Sequence, residues 1–236
     1  EYKAFQPVVL SRPYRTIAAA EDADGFAIDV VADPWVVTFE SFLTDEECDR
    51  LIQHGHNAGY EASTVVGDTL PDGTSVREMG EESGRTSENA WCHHECHDDP
   101  LVQNVLNRMS KVTGAPPANY EWLQLLKYDV GQFYVSHHDF IAENIKYPMG
   151  PRILTFFLYL NDVEEGGGTK FNDLDITVTP KKGKAILWTN VLNDDPFQEE
   201  PNTNHEALPV KAGVKYGANA WIHLRDFKTS ALNDCL

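Results

Sequence analysis

Apolar and polar positions recur along this chain with two different periods, and the change from one to the other divides it. From Thr44 the apolar residues Cys48, Leu51 and Ile52 fall at helical spacing, while Glu47 stands three residues after Thr44 as the second half of a capping box. A helix is therefore expected from Thr44 to about Gly59. Val102, Val105, Leu106, Met109 and Val112 predict a second helix that starts at Asp98 or Asp99, carries Pro100 in its first turn and stops at Gly114. Between the two, residues 65–87 are rich in Gly, Asp, Glu and Ser around the turn Pro71-Asp72-Gly73, and read as a mobile surface loop. After Pro116-Pro117 the period shortens to two. Strands are expected at 121–128, 132–136, 152–160, 175–179, 184–189 and 214–224, with an entry strand or two near Trp35–Phe39 before the first helix.

Helices first and strands after define an α+β chain. Many short strands separated by Gly, Pro and Asn turns close most economically into a double-sheet jelly roll, a double-stranded β-helix with the amino-terminal helices buttressing one sheet. With no repeat, low-complexity segment or linker, residues 1–236 read as one domain. Within it, 1–118 would supply strand and helix support and the mobile loop, 119–228 the jelly-roll core, and 229–236 a tail.

Composition narrows the function classes. A chain of 236 residues, 42% of them hydrophobic, can bury a continuous core, which excludes disorder, collagen and coiled coil. Nineteen Lys plus Arg against 37 Asp plus Glu leave a formal charge of −18, so no nucleic-acid partner is expected. No apolar run approaches the roughly 20 residues of a membrane span. Glu1 is followed by no apolar leader, and whether a signal or anchor was removed before it stays open. Four cysteines, Cys48, Cys92, Cys96 and Cys235, are too few for a disulfide scaffold but allow one or two bridges in an oxidising compartment. The run Cys92-His93-His94-Glu95-Cys96-His97 is dense in zinc-ligand types, yet it supplies only half of the two separated pairs that structural zinc sites use. Pairing of Cys92 or Cys96 with Cys48 or Cys235 is the alternative expectation.

The candidate chemistry lies in His137-His138-Asp139, just after the expected strand Gln132–Ser136. Side chains alternate along a strand, so residues 137 and 139 share a face and could bind one metal ion, with His205 as the third ligand. Two His and one carboxylate with open positions are the arrangement of non-haem Fe(II) oxygenases. A His-x-Asp pair is also common as ordinary surface or hydrogen-bonded core residues. Lys215 follows on the strand Val214–His223; if that strand lines the barrel, a buried ammonium needs an anion, such as the far carboxylate of a metal-chelating dicarboxylic cosubstrate. An exposed strand lysine is the plainer alternative.

From Trp122 to Asp226 the chain resembles the prolyl 4-hydroxylase branch of the Fe(II)/2-oxoglutarate dioxygenases. The resemblance is carried by Leu125-Leu126-Lys127-Tyr128, Gly131-Gln132-Phe133-Tyr134, His137-His138-Asp139-Phe140, Arg152-Ile153-Leu154-Thr155, Tyr159-Leu160-Asn161-Asp162-Val163, Gly166-Gly167-Gly168-Thr169-Lys170-Phe171, His205, Pro209-Val210, Lys215 and Trp221, and more weakly by Arg85-Thr86-Ser87. It implies that His137, Asp139 and His205 bind Fe(II), and that Lys215 holds the distal carboxylate of 2-oxoglutarate with help from Tyr128 and Thr169. It places Tyr134, Arg152, Trp221 and His223 at the mouth of the site against a proline-containing peptide or protein. No catalytic side chain is expected beyond the metal ligands. O2 would be the oxidant and ascorbate an accessory, with succinate and CO2 released. Residues 65–87 resemble the segment that closes over peptide.

Three departures stand out: the spacing from His205 to Pro209-Val210 is one residue longer than usual, which could shift His205; a third Gly precedes Thr169; and Tyr216 replaces the usual Trp after the cosubstrate lysine. Competing readings are a relative acting on another peptide residue or a small molecule, an inactive peptide-binding jelly roll, and a nucleic-acid demethylase, which the charge opposes. Kinship favours the endoplasmic reticulum lumen or secretory pathway, with the cytoplasm as the alternative. Oligomeric state and substrate identity are not legible.

Overall fold

In a computed structural model of the chain, the structure describes residues 2–21, 27–32, 34–69, 75–79 and 84–233. Its strands are β1 (Pro7–Ser11), β2 (Tyr14–Glu21), β3 (Ala27–Ala32), β4 (Val36–Phe39), β5 (Glu61–Ala62), β6 (Thr64–Thr69), β7 (Ser75–Met79), β8 (Glu88–Trp91), β9 (Gln124–Tyr128), β10 (Tyr134–His137), β11 (Arg152–Tyr159), β12 (Glu165–Gly166), β13 (Thr169–Phe171), β14 (Ile176–Val178), β15 (Ala185–Thr189), β16 (His205–Ala207), β17 (Val210–Ala212) and β18 (Lys215–His223). Its helices are α1 (Asp45–Ala58), α2 (Glu95–Asp98), α3 (Pro100–Thr113) and α4 (Phe227–Leu232).

Both expected helices form for the reasons their sequences carry. The Thr44 hydroxyl accepts the backbone N–H of Glu47 at 3.2 Å, and the Glu47 carboxylate accepts the N–H of Thr44 at 2.9 Å. Asp99 caps α3 by accepting the N–H of Leu101, Pro100 occupies the first turn, and Gly114 ends the helix in a left-handed conformation at φ 74° that L side chains rarely adopt. The apolar stripes of α1 (Cys48, Leu51) and α3 (Val102, Val105, Leu106, Met109) pack on one face of the large sheet, against Leu125, Phe156, Leu158, Ala218 and Ile222.

That sheet has eight strands in the order β1-β4-β15-β11-β18-β9-β8-β5, and a four-stranded sheet runs β10-β16-β13-β14. Strict alternation divides the large sheet's residues. On β11, Phe156 and Leu158 face the helices, while Phe157 and Tyr159 face the inter-sheet core with Leu126, Phe171, Ile186 and Trp188. On β18, Tyr216, Ala218, Ala220 and Ile222 pack with the helix-side cluster, which leaves Lys215, Gly217, Asn219, Trp221 and His223 on the opposite, inward face. A Cβ at Gly217 would collide with the Phe157 ring, so close packing of β18 on β11 depends on that glycine.

Several expectations change. The segment 65–87 is not simply a loop: β6 and β7 pair antiparallel within it, and residues 70–74 and 80–83 lie outside those described. Backbone pairing crosses the 118/119 boundary, since β8 pairs with β9 and β4 with β15, so the amino-terminal strands complete the large sheet. The tail from 229 continues α4, whose N-cap Asp226 accepts from Thr229. Cys92 pairs with Cys96, and Cys48 is a buried free thiol, so the cross-pairing with Cys48 does not occur; Cys235 lies outside the described residues. The bridge also removes both thiolates from any zinc site. Among the described residues no helix is long and apolar enough to cross a membrane.

The α1 cap is also a tertiary joint. Glu47, only 4% exposed, receives both amino groups of Arg108 at 2.9 and 2.7 Å, and Arg108 in turn donates to the Phe42 carbonyl at 2.6 Å. Thr44→Ala should lower stability by about 1 kcal/mol. Glu47→Ala, which strands the Arg108 guanidinium as well, should cost roughly 3 kcal/mol, read from the urea midpoint of each variant.

Candidate active site

Antiparallel pairing of β10 with β16 sets His137 opposite His205. Asp139 lies two residues beyond the end of β10, in a turn where the Phe140 N–H donates to His138 Nδ1 at 2.9 Å. The strand-face argument thus holds for His137, while a turn delivers Asp139. His138 points away from the site, as expected: its Nε2 lies 3.0 Å from both the Glu200 carbonyl and the Thr203 hydroxyl, tying the turn to the segment that leads into β16. Nε2 of His137 is 3.9 Å from Asp139 Oδ1, Nε2 of His205 is 3.8 Å from Asp139 Oδ2, and the three ligand atoms all lie within 4.8 Å of one another. The longer His205-to-Pro209 spacing leaves His205 in place.

The donor set fits a divalent cation. Nδ1 of His137 donates to the Val135 carbonyl at 2.8 Å and Nδ1 of His205 to the Thr203 carbonyl at 3.0 Å, so each Nε2 turns its lone pair to the centre. Burial, reinforced by the neighbouring His205, pulls the His137 pKa down to about 3, and burial lowers that of His205 as well. Burial works against the Asp139 carboxylate, but His205, His137, Arg152 and the Thr155 hydroxyl outweigh it and hold its pKa at about 2. At neutral pH the site therefore presents two neutral imidazoles and one carboxylate on one side of a shared centre. Thr155, fully buried, donates to Asp139 Oδ2 at 2.6 Å and accepts from the Asn190 side-chain amide at 2.9 Å, so one carboxylate oxygen is held from the large sheet.

Lys215 is 1% exposed, and its ammonium faces the rings of Tyr128 at 4.9 Å, Phe157 at 5.2 Å and Tyr159 at 5.8 Å, with no carboxylate opposite among the described residues. Burial alone brings its pKa down to about 7. It shares a pocket with Tyr128, Thr169, His137 and His205, so the three residues expected around the cosubstrate meet two of the three candidate metal ligands in one cavity. The Tyr159 hydroxyl donates to Thr169 Oγ1 at 2.7 Å, leaving the Thr169 hydroxyl hydrogen available to a ligand.

The pocket meets a groove of about 1070 Å³ that Tyr134, Arg152, Trp221 and His223 line, together with His137 and Asp139. Tyr134 stacks on His137 with ring centres 3.6 Å apart, and the Arg85 guanidinium covers its ring at 4.8 Å. A bulge between Arg152 and Leu154 turns Arg152 to the groove, where its guanidinium lies 3.9 Å above the Trp221 ring. The organiser that sequence reasoning missed is Glu121. It accepts Arg152 Nε at 2.6 Å and one amino group at 3.2 Å, and sits 2.8 Å from His223 Nε2. Burial opposes its ionisation, but Arg152 and His223 outweigh this and lower its pKa. His223 Nδ1 is engaged by the Gly150 carbonyl at 2.7 Å, so both ring nitrogens are committed within the protein. A lone Glu between Tyr120 and Trp122, where a strand was expected to begin burying its side chains, was the available signal.

Residues 123–223 match the family model of the 2OG-Fe(II) oxygenase superfamily, and with the site geometry this makes the protein a 2-oxoglutarate-dependent dioxygenase. It is 31% identical over 229 residues to the probable prolyl 4-hydroxylase 8 of Arabidopsis thaliana, a match covering 88% of this chain and 75% of that protein. It is 32% identical over 195 residues to the prolyl 4-hydroxylase subunit alpha-2 of Gallus gallus, where 81% of this chain covers only 34% of the longer subunit. Among solved structures, a viral collagen prolyl hydroxylase from Paramecium Bursaria Chlorella virus-1, solved as its 2OG complex, superposes with a TM-score of 0.59 at 29% identity, covering 80% of this chain and 95% of that one. The chain belongs to the prolyl 4-hydroxylase family.

Lys215 carries a pH signature. Below about pH 7 its amine is protonated in folded and unfolded chains alike, and the full cost of burying the cation opposes folding. As pH rises from there towards the ordinary lysine range, the folded amine is neutral while the unfolded one still binds a proton, and that cost fades. Lys215→Met should therefore stabilise the ligand-free protein by roughly 1–4 kcal/mol at pH 6–7, with the gain shrinking towards pH 10, in urea titrations. The same variant should lose 2-oxoglutarate binding in anaerobic calorimetry.

Proposed function

We propose that this chain hydroxylates peptidyl proline, using Fe(II) as cofactor, consuming 2-oxoglutarate and O2 as cosubstrates, with ascorbate as the accessory reductant. The observation that carries the reading is a buried ammonium, Lys215, with no counter-ion among the described residues, in the same cavity as two of three convergent ligand residues and adjoining a groove of about 1070 Å³. His137, Asp139 and His205 would hold the iron through Nε2, a carboxylate oxygen and Nε2. Lys215 would neutralise the distal carboxylate of 2-oxoglutarate, with Tyr128 and Thr169 donating hydroxyl hydrogens. When bound, the iron and 2-oxoglutarate supply the oxidation that side chains cannot, giving succinate, CO2 and a hydroxylated C–H.

The remaining residues bind and orient. A proline-rich strand in polyproline II conformation leaves its carbonyls unpaired, so it needs donors and flat apolar surfaces. The indole N–H of Trp221 is buried in the groove wall without an acceptor, which suits it to a substrate carbonyl. Arg152, held by Glu121 through Nε and one amino group, offers its other amino group in the same direction. Tyr134 presents its ring beside His137. His223 acts through Glu121, fixing the carboxylate that aims Arg152. Residence in the secretory pathway is supported by the Cys92–Cys96 bridge, since reducing compartments keep such thiols open. The single-domain reading of 1–236 is supported by the shared large sheet.

Incubation with Fe(II), ascorbate, 2-oxoglutarate and a panel of proline-rich peptides should add one oxygen to proline by mass spectrometry, with an equal amount of succinate. His137→Ala should lose at least about 100-fold in rate, because two ligands no longer define the metal face. Succinate release without any change in peptide mass, across every panel member, would overturn proline as the target.

A further inference from the structure

Beyond the four residues assigned to substrate, the groove carries a further large aromatic side chain, Trp91. Trp91 closes β8, lines the groove and is 38% exposed. Its neighbours explain how an exposed ring is held there. Cys92 points into the helix-side core and bridges to Cys96, its backbone N–H donates to the Leu123 carbonyl at 2.9 Å, and both cysteines are buried. Residues 91 and 93, on either side of Cys92, face outward. Trp91 and His93 stack at 6.1 Å and 24°, and His93 meets Trp122 edge to face at 4.9 Å. In the other direction Trp91 stands 6.4 Å from Trp221 at 47°. Successive ring centres from Trp221 through Trp91 to His93 are therefore 6.4 and 6.1 Å apart. Two residues of polyproline II advance about 6 Å along the axis.

We infer that Trp91 and His93 form a second proline-binding subsite, a rail that holds the part of a long polyproline II substrate flanking the reacting residue. The inference rests on the proline-hydroxylase reading of the groove, and its occupant follows from continuity: Trp91 lines the groove with Trp221, His137 and Asp139, and His93 extends it by stacking on Trp91. Flat rings without nearby fixed donors bind proline rings by stacking, so the rail selects conformation and proline density and makes no demand on sequence. Burial and the neighbouring His94 lower the His93 pKa, which keeps its face neutral and compatible with an apolar ring at pH 7. The disulfide anchors the turn between the two faces, so the rail is preorganised and needs little ordering when substrate arrives.

The test compares a blocked proline-containing dipeptide, whose rise of about 3 Å is too short to reach from Trp221 to Trp91, with a proline-rich peptide of about fifteen residues that contains the same dipeptide. For Trp91→Ala the KM of the long peptide should rise roughly 3–10-fold at unchanged kcat, the short peptide should be unaffected, and Trp91→Phe should restore most of the difference. Anisotropy of a fluorescently labelled oligoproline on the metal-free protein should show the same loss. Equal KM for the long peptide in wild type and Trp91→Ala, or equal damage to both lengths, overturns the rail. If neither peptide is hydroxylated by wild type while the labelled oligoproline still binds in a Trp91-dependent way, the hydroxylase reading fails and the subsite survives.

Discussion

In an antiparallel pair a slip of one residue sends every side chain to the opposite face, and for β10 and β16 such a slip would separate His137 from His205 and dissolve the site. The ladder between these two short strands is too brief to hold its own register. It is instead pinned from three sides: β13 pairs along the other edge of β16 and puts Phe171 opposite His205, His138 ties the turn after β10 to the segment before β16, and the Thr203 carbonyl orients the His205 ring. The third ligand arrives from a different direction. Thr155, on the large sheet, holds the Asp139 carboxylate, so the metal face exists only while both sheets keep their spacing. The site is thus a consequence of closing the jelly roll, and cannot form in either sheet alone.

The large sheet adds the second requirement through a period of two. Because alternate residues of β18 pack against the helices, the intervening ones must face inward, and these are Lys215, Gly217, Asn219, Trp221 and His223. One strand therefore serves the inner pocket at its start and the peptide groove at its end. The helices contribute without touching the site: α1 and α3 bury the other face of the sheet and fix which residues turn inward.

How much of this was legible follows from the length over which each signal repeats. The two helices were readable down to their caps, because Thr44, Glu47, Asp99, Pro100 and Gly114 each have a local mechanism that needs no tertiary contact. The long strands β11 and β18 were readable from period two. The three-residue strands β13, β16 and β17 were not, since so few residues show no period, and their pairing depends on strands distant in sequence. The cluster of His137, Asp139 and His205 and the inward placement of Lys215 were legible through residue type and motif order. Glu121 was missed because it belongs to no motif, and its role appears only when Arg152 and His223, distant in the chain, come together around it. The Cys92–Cys96 bridge was missed because chain spacing alone does not say which cysteines approach.

The distribution of charge joins fold to chemistry. The chain carries a formal −18, while its interior holds an ammonium at Lys215 among aromatic rings. In that setting the cation is the costly element, since rings provide only part of what water did. Arg152 avoids the cost through Glu121, so Arg152 and Lys215 have opposite settings: the first is paired with a carboxylate in advance, and the second faces aromatic rings. A dicarboxylate that reaches from the metal ligands to Lys215 would satisfy both ends at once, and a monocarboxylate would leave the ammonium as exposed to the low dielectric as before. On the proposed assignment, selectivity for the longer acid would follow from that unmet electrostatic demand.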